Sequence, residues 1–95
     1  MNILSWNCQG LGLTHTVHEL GKLNRKFKPH ILFFIETKRK SFEMERPRLK
    51  WNYENCLAMD SIEKRGGLAL LWNTKVQLEV VSFSLFHIDA KVSRD

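Results

Sequence analysis

Five consecutive apolar residues, Ile31-Leu32-Phe33-Phe34-Ile35, stand between Pro29 and Glu36, and this run constrains the fold more than any other feature of the chain. It is too short for a well-packed helix, and an unbroken apolar stretch of this length suits a strand covered on both faces. Pro29 ends whatever helix precedes it, because its ring disfavours the helical conformation at the residue before. Upstream, Asn2 to Asn7 carries Ile3, Leu4 and Trp6 and runs out into Gly10 and Gly12, the pattern of a second strand buried on both sides. Between the two, Thr16 and Glu19 stand at capping-box spacing and Val17, Leu20, Leu23 and Phe27 recur at helical intervals. The spacing predicts an amphipathic helix with one core stripe, in which Gly21 costs about 1 kcal/mol relative to alanine. Strand, helix and strand imply a parallel pair joined by a right-handed crossover. The carboxyl ends of both strands then share one edge, and Asn7 and Glu36 become neighbours.

The second half follows a different rhythm. Ser41 to Lys50 has helical composition, but a proline inside a helix costs about 3 kcal/mol, so Pro47 predicts a helix that is kinked, broken or begun near it. From Cys56 the period becomes two, over Cys56 to Met59, Gly67 to Trp72, Val76 to Phe83 and His87 to Val92, which predicts short antiparallel strands. Val76, Leu78 and Val80 alternate with Gln77 and Glu79, and Ile88, Ala90 and Val92 alternate with Asp89 and Lys91, so these strands each have one wet face. The 95 residues, 43% hydrophobic and 26% charged, allow one mixed α/β (α+β) domain over 1–95. The last residues lie just past a strand, with no helix after it to cover the sheet. That predicts an incomplete domain with an exposed strand edge open to self-association.

A net charge of +5 is gathered at Lys22 to Lys28, Lys38 to Lys40 and Arg46 to Lys50. Such clusters attract polyphosphate, so nucleic acid is the expected partner and no defined protein partner emerges. No apolar run approaches a membrane span and the first residues lack the basic lead of a signal peptide. Cys8 and Cys56 are too few to brace a secreted domain of this size and are expected to be reduced. The expectation is a soluble intracellular protein, nuclear or cytoplasmic, with no membrane partner.

Two residues carry most of the chemical interest. Asn7 closes an apolar strand, where it can ligate a metal, bond a phosphate oxygen or simply open a turn. Glu36 follows five apolar residues at a strand end, where ligand groups gather, or it caps the next turn. Together they suit Mg²⁺, which keeps several waters and often takes only one or two carboxylates. Hydrolysis of a phosphodiester also needs a general base and a second charge-stabilising group. Asp60, Asp89 and His87 do not define one, and His87 with Asp89 reads as a surface pair. His15 and His18, near Cys8, match no dependable zinc spacing and read as surface histidines. Trp6 and Trp72 fall in apolar strands and read as core. Trp51, beside Arg48 and Lys50, reads as a nucleic-acid contact together with Lys38, Arg39 and Lys40.

Three segments then line up: Ile3-Leu4-Ser5-Trp6-Asn7-Cys8-Gln9-Gly10-Leu11-Gly12, Pro29-His30-Ile31-Leu32-Phe33-Phe34-Ile35-Glu36-Thr37-Lys38 and Gly66-Gly67-Leu68-Ala69-Leu70-Leu71-Trp72. In this order, and on through His87-Ile88-Asp89-Ala90, they resemble the opening of the endonuclease/exonuclease/phosphatase superfamily. The likeness is specifically to the deoxyribonuclease-I-like endonuclease of plant non-LTR (LINE-type) retrotransposons. The resemblance implies a four-layer αββα sandwich, here partial, and cleavage of DNA phosphodiesters with Mg²⁺ or Mn²⁺. It also implies a metal site that includes the positions of Asn7 and Glu36. The family's later groups, a Tyr, an Asp-x-Asn pair and a terminal Asp-His pair, match no residue here, and Pro47 departs from the usual helix. The expectation is therefore an N-terminal fragment that binds metal weakly if at all and does not cut alone, so that whether it is an enzyme stays open. The alternatives are a non-catalytic basic module that holds DNA or RNA, and a functionless remnant.

Overall fold

The apolar run forms β2 (Ile31–Ile35), which pairs in parallel with β1 (Ile3–Asn7) on one side and antiparallel with β4 (Arg65–Trp72) on the other. The computed structural model describes residues 2–10 and 14–94. β3 (Asn55–Ile62) completes a four-stranded sheet in the order β1-β2-β4-β3, and α1 (Thr14–Phe27) connects the parallel pair. β5 (Val76–Phe83) and β6 (Ile88–Arg94) form a separate antiparallel sheet. A 3-10 turn (Ser41–Met44) and α2 (Glu45–Lys50) lie between β2 and β3.

Because side chains alternate across a strand, the two interior strands feed two cores. Leu32, Phe34, Ala69 and Leu71 point to the helical side and pack with Leu20, Met44, Trp51 and Tyr53. Ile31 and Leu70 point the other way and pack with Val76, with Phe33, Leu78, Ile88 and Val92 around them. The result is three layers, helices on a sheet on a sheet, in agreement with the mixed sandwich expected. Along β5 and β6 the alternation also holds, with Gln77, Glu79, Asp89 and Lys91 exposed. A bulge between Val80 and Ser82 breaks the register and leaves Val81 and Phe83 facing solvent.

Several expectations need correction. β1 is an edge strand rather than one buried on both sides: Leu4 and Trp6 reach the helical core, but Ile3 is 59% exposed and Ser5 and Asn7 are exposed. Ile3 borders an open apolar gap of about 240 Å³ between the sheets, so that side of β1 has no cover. The helix begins at Thr14, which makes Thr16 a buried residue of its first turns instead of the cap. Phe27 leaves the core stripe, is 48% exposed, and has the Lys26 ammonium 5.3 Å from its ring centroid. Gly12 lies outside the described residues. Of the alternatives offered for Pro47, the structure shows a helix begun near it. The proline sits third in α2, within the first turn, where a missing N–H costs no intrahelical bond. Cys8 and Cys56 are free thiols, and no described helix is long and apolar enough to cross a membrane.

Candidate functional site

The parallel register pairs Asn7 with Ile35, so β1 and β2 finish together. Their exits are then stitched to each other. The Cys8 N–H donates to the Ile35 carbonyl at 2.8 Å and the Gly10 N–H to the Glu36 carbonyl at 2.9 Å. Asn7 and Glu36 therefore share one rim of the sheet. The Asn7 side chain also makes a turn, since its Oδ1 accepts the Gln9 N–H at 3.2 Å while Gln9 and Gly10 take φ of 49° and 103°. One lone pair of Oδ1 stays open to a second partner.

Glu36 is held by a clamp that spacing alone does not reveal. Glu36 and Lys38 both have left-handed backbones, at φ 58° and 56°, a conformation that costs a non-glycine residue roughly 1–2 kcal/mol. Between them Thr37 is buried, and its N–H donates to the Gly67 carbonyl at 3.2 Å while the Lys38 N–H donates to the Gly66 carbonyl at 2.8 Å. The Thr37 Oγ1 accepts the Arg39 N–H at 3.3 Å. Gly67, at φ 91°, has no room for a side chain, because an added Cβ would collide with Thr37 Oγ1. The paired glycines before the apolar run of β4 were the available signal for this close approach.

The Glu36 side chain is half-buried in a cleft of about 390 Å³ that it shares with Asp60, Glu63, Arg65 and Phe86. Phe86, at the tip of the β5–β6 hairpin, is 80% exposed. Among the described residues Glu36 has no ion pair. Asp60 accepts the Ser41 N–H at 2.6 Å, and that backbone bond holds its carboxyl below the usual range. Asp60, which along the chain is only a residue on a later strand, thus joins the Glu36 cleft as an ionised acceptor.

The residues expected to contact nucleic acid are dispersed and partly committed elsewhere. Trp51 is only 7% exposed and packs edge-on against Phe34, with centroids 5.6 Å apart, so it is a core residue and offers no stacking platform. Arg39 pairs with Glu43 at 2.9 Å, and Lys40 Nζ donates to the Ser61 carbonyl at 2.6 Å. The Lys40 backbone N–H and then Arg39 hold the Glu43 carboxyl low. Arg48 pairs with Glu45 at 2.6 Å and donates to the carbonyls of Tyr53 and Glu54. Lys38 and Lys50 are exposed and in no ion pair among the described residues.

The weaker candidates separate as well. His87 lies 2.7 Å from Ser84 Oγ and 3.3 Å from Ser82 Oγ rather than on Asp89. His18 is exposed, and the side chain of His15 lies outside the described residues. No group of three or more His, Cys, Asp or Glu among the described residues is placed to hold a metal. Burial pushes the Cys8 thiol up to about 12, which keeps it protonated and unsuited to zinc. The Asn7 amide oxygen and Glu36 carboxylate are hard oxygen donors at one solvent-open rim. They fit a water-rich ion such as Mg²⁺ or Mn²⁺ and do not form a closed cage.

Compared with known families, residues 4–93 match the endonuclease/exonuclease/phosphatase family. Among solved structures, the chain is similar to the AP endonuclease LMAP from Leishmania major, with a TM-score of 0.60 and 16% identity over 81% of this chain and 27% of that one. It is also similar to the APE2 catalytic domain of Xenopus laevis, with a TM-score of 0.56 and 20% identity over 84% of this chain and 26% of that one. Both likenesses concern the fold, and the chain spans about a quarter of the length of each. Comparison with curated proteins yields no match.

Proposed function

Since the chain belongs to the endonuclease/exonuclease/phosphatase family, we propose that it is the N-terminal part of a domain that cleaves DNA phosphodiesters with a divalent metal, Mg²⁺ or Mn²⁺. The observation that supports this reading is the shared rim: two parallel strands end in register with Asn7 and Glu36 at their joined exits, and the backbone around Glu36 is locked by Thr37 and Gly67. Glu36 and Asn7 would hold the ion. When bound, such an ion neutralises phosphate charge and lowers the pKa of a coordinated water.

The chain's own groups do the rest of the positioning. Lys38, exposed beside Glu36, attracts the phosphate, and Asp60 keeps a fixed negative charge in the same cleft. Activation of the attacking water requires a base, and His87 is occupied by two serine hydroxyls. The chain alone is therefore expected not to cut. The finer reading, an endonuclease of the retrotransposon type that nicks DNA, is supported by the three segments Ile3 through Gly12, Pro29 through Lys38 and Gly66 through Trp72, and the net charge of +5 accords with DNA binding.

Paramagnetic broadening by Mn²⁺ tests the metal site directly. Amide signals of residues 7–10 and 36–38 should fade first, recover when Mg²⁺ competes, and keep their intensity in Glu36→Ala. Broadening that begins elsewhere, or that ignores the substitution, would remove Asn7 and Glu36 from the reading. In a plasmid assay with Mg²⁺ no nicking is expected. Nicking abolished by Glu36→Ala would show residual catalysis through this rim, and nicking that survives it would count against the site. Duplex binding without a metal effect would favour a basic binding module, and neither would favour an inert remnant.

A further inference from the structure

At the end of the first sheet opposite Asn7 and Glu36, the residues before β2, before β3 and after β4 enclose a second cleft of about 290 Å³. Its lining includes Arg25 and Lys28 from the end of α1 and just beyond it, His30, and Lys75 from the β4–β5 turn, with the amides of Asn52 and Asn73. Among the described residues no acidic side chain lines it. Among the described residues Arg25, Lys28 and Lys75 are in no ion pair, in contrast to Lys22, Arg39 and Arg48. Like charges brought together without counter-charge repel, and an anion between them relieves that repulsion.

The cleft is built rather than incidental. The Asn73 N–H donates to the His30 carbonyl at 3.1 Å and the Lys75 N–H to Asn73 Oδ1 at 3.0 Å, which fixes the β4–β5 turn against the start of β2. The Tyr53 hydroxyl lies 2.6 Å from the Pro29 carbonyl oxygen and ties the α2–β3 connection to the same wall. Lys28 and Asn52 both take left-handed backbones, at φ 45° and 62°. Within the lining, the Trp51 Nε1 donor is buried and has no hydrogen-bond partner. A Cβ placed at Gly21 would lie 3.7 Å from Trp51 Nε1 and 3.5 Å from Arg25 Nη1, so both nitrogens border Gly21. A buried donor without an acceptor is unusual in folded proteins and points to a missing partner.

We infer that this cleft binds a phosphate group, free or esterified, between Arg25, Lys28 and Lys75. A tetrahedral oxyanion accepts from several directions at once, which matches cations delivered by separate elements. The site is independent of the metal rim, because it lies at the other end of the strands and shares no residue with it.

Titration with inorganic phosphate, followed by amide chemical shifts, tests the inference, and a short DNA duplex forms the second arm. Saturable shifts should concentrate at residues 24–30, 51–53 and 73–75. Response to phosphate alone identifies a free-anion site, and response only to the duplex identifies a backbone-phosphate site. Lys75→Glu should weaken binding at least about tenfold. Lys91→Glu, an equal change of charge on the exposed face of β6, should leave it within about twofold. Both substitutions are at exposed positions, and unchanged signal dispersion confirms that they fold. Shifts that fail to saturate with either probe, or an equal loss in both variants, would overturn the site.

Discussion

Gly67→Ala is the sharpest probe of how the carboxylate rim is held. Two costs arise at this position. The left-handed backbone, φ 91°, carries a penalty of roughly 1–2 kcal/mol for any residue with a Cβ. The new methyl also collides with Thr37 Oγ1 and lies 3.1 Å from the Lys38 nitrogen. Overpacking of this kind adds about 1–3 kcal/mol. The neighbouring Gly66, at φ 72°, has nothing within 4 Å of an added Cβ, so Gly66→Ala bears the backbone cost alone. Urea unfolding of both variants should show Gly67→Ala less stable than Gly66→Ala by about 1–3 kcal/mol, equivalent to roughly 4–8 °C of Tm for each kcal/mol in a domain of this size. Adding Thr37→Ala should recover part of the deficit, because it removes the colliding oxygen, and the resulting non-additivity measures the contact itself. Mn²⁺ broadening at Glu36 should weaken in Gly67→Ala and persist in Gly66→Ala. Equal stabilities for the two glycine variants, or strict additivity with Thr37→Ala, would refute the clamp.

Further tests follow from the same chain of reasoning. Trp51→Ala should cost about 3–5 kcal/mol in chemical denaturation, the loss expected for a large ring packed in the core. Glu43 has a depressed folded-state pKa, so its stabilising contribution is present above the unfolded value and lost as pH falls through the folded one. Melts across the acid range should therefore converge for wild type and Glu43→Gln at low pH and separate above it. Cys8 and Cys56, raised by burial to about 12 and about 11, should resist alkylation at pH 8 in the native protein and react at once in denaturant.

Much of the architecture was readable in the residues because strong local patterns agreed with the global fold. Ile31 to Ile35 could only be an interior strand, and the proline before it and helical stripe before that left a parallel pairing as the economical solution. What escaped was set by distant parts of the chain. Nothing local tells Ile3 that the second sheet leaves it open, or tells Phe27 that its ring stays half exposed at the end of α1. Trp51 sits among basic residues in sequence yet turns inward onto Phe34, a contact across seventeen positions. Unpaired surface cations are fewer than a count along the chain implies, for a similar reason. Arg39 and Arg48 lie within one helical turn of Glu43 and Glu45, and those acids consume the cations that a simple count leaves available. Asn7 and Glu36 were legible as neighbours from topology, whereas the Thr37–Gly67 contact that locks the carboxylate depends on an antiparallel partner with no local signal beyond two adjacent glycines.

Among the described residues the two sheets share side chains but no backbone ladder, since β5 pairs only with β6, and β2 and β4 are the strands that lend residues to both cores. Among the described residues the contact across that seam is apolar, and no hydrogen bond joins the strands of the two sheets. In deuterated water the amides of the hairpin should consequently exchange as one block, pivoting on Asn73 to Lys75, well before those of β2 and β4. The molecule would then behave as a firm slab carrying a detachable flap, and Phe86, which borders the Glu36 cleft from the flap, would swing away with it.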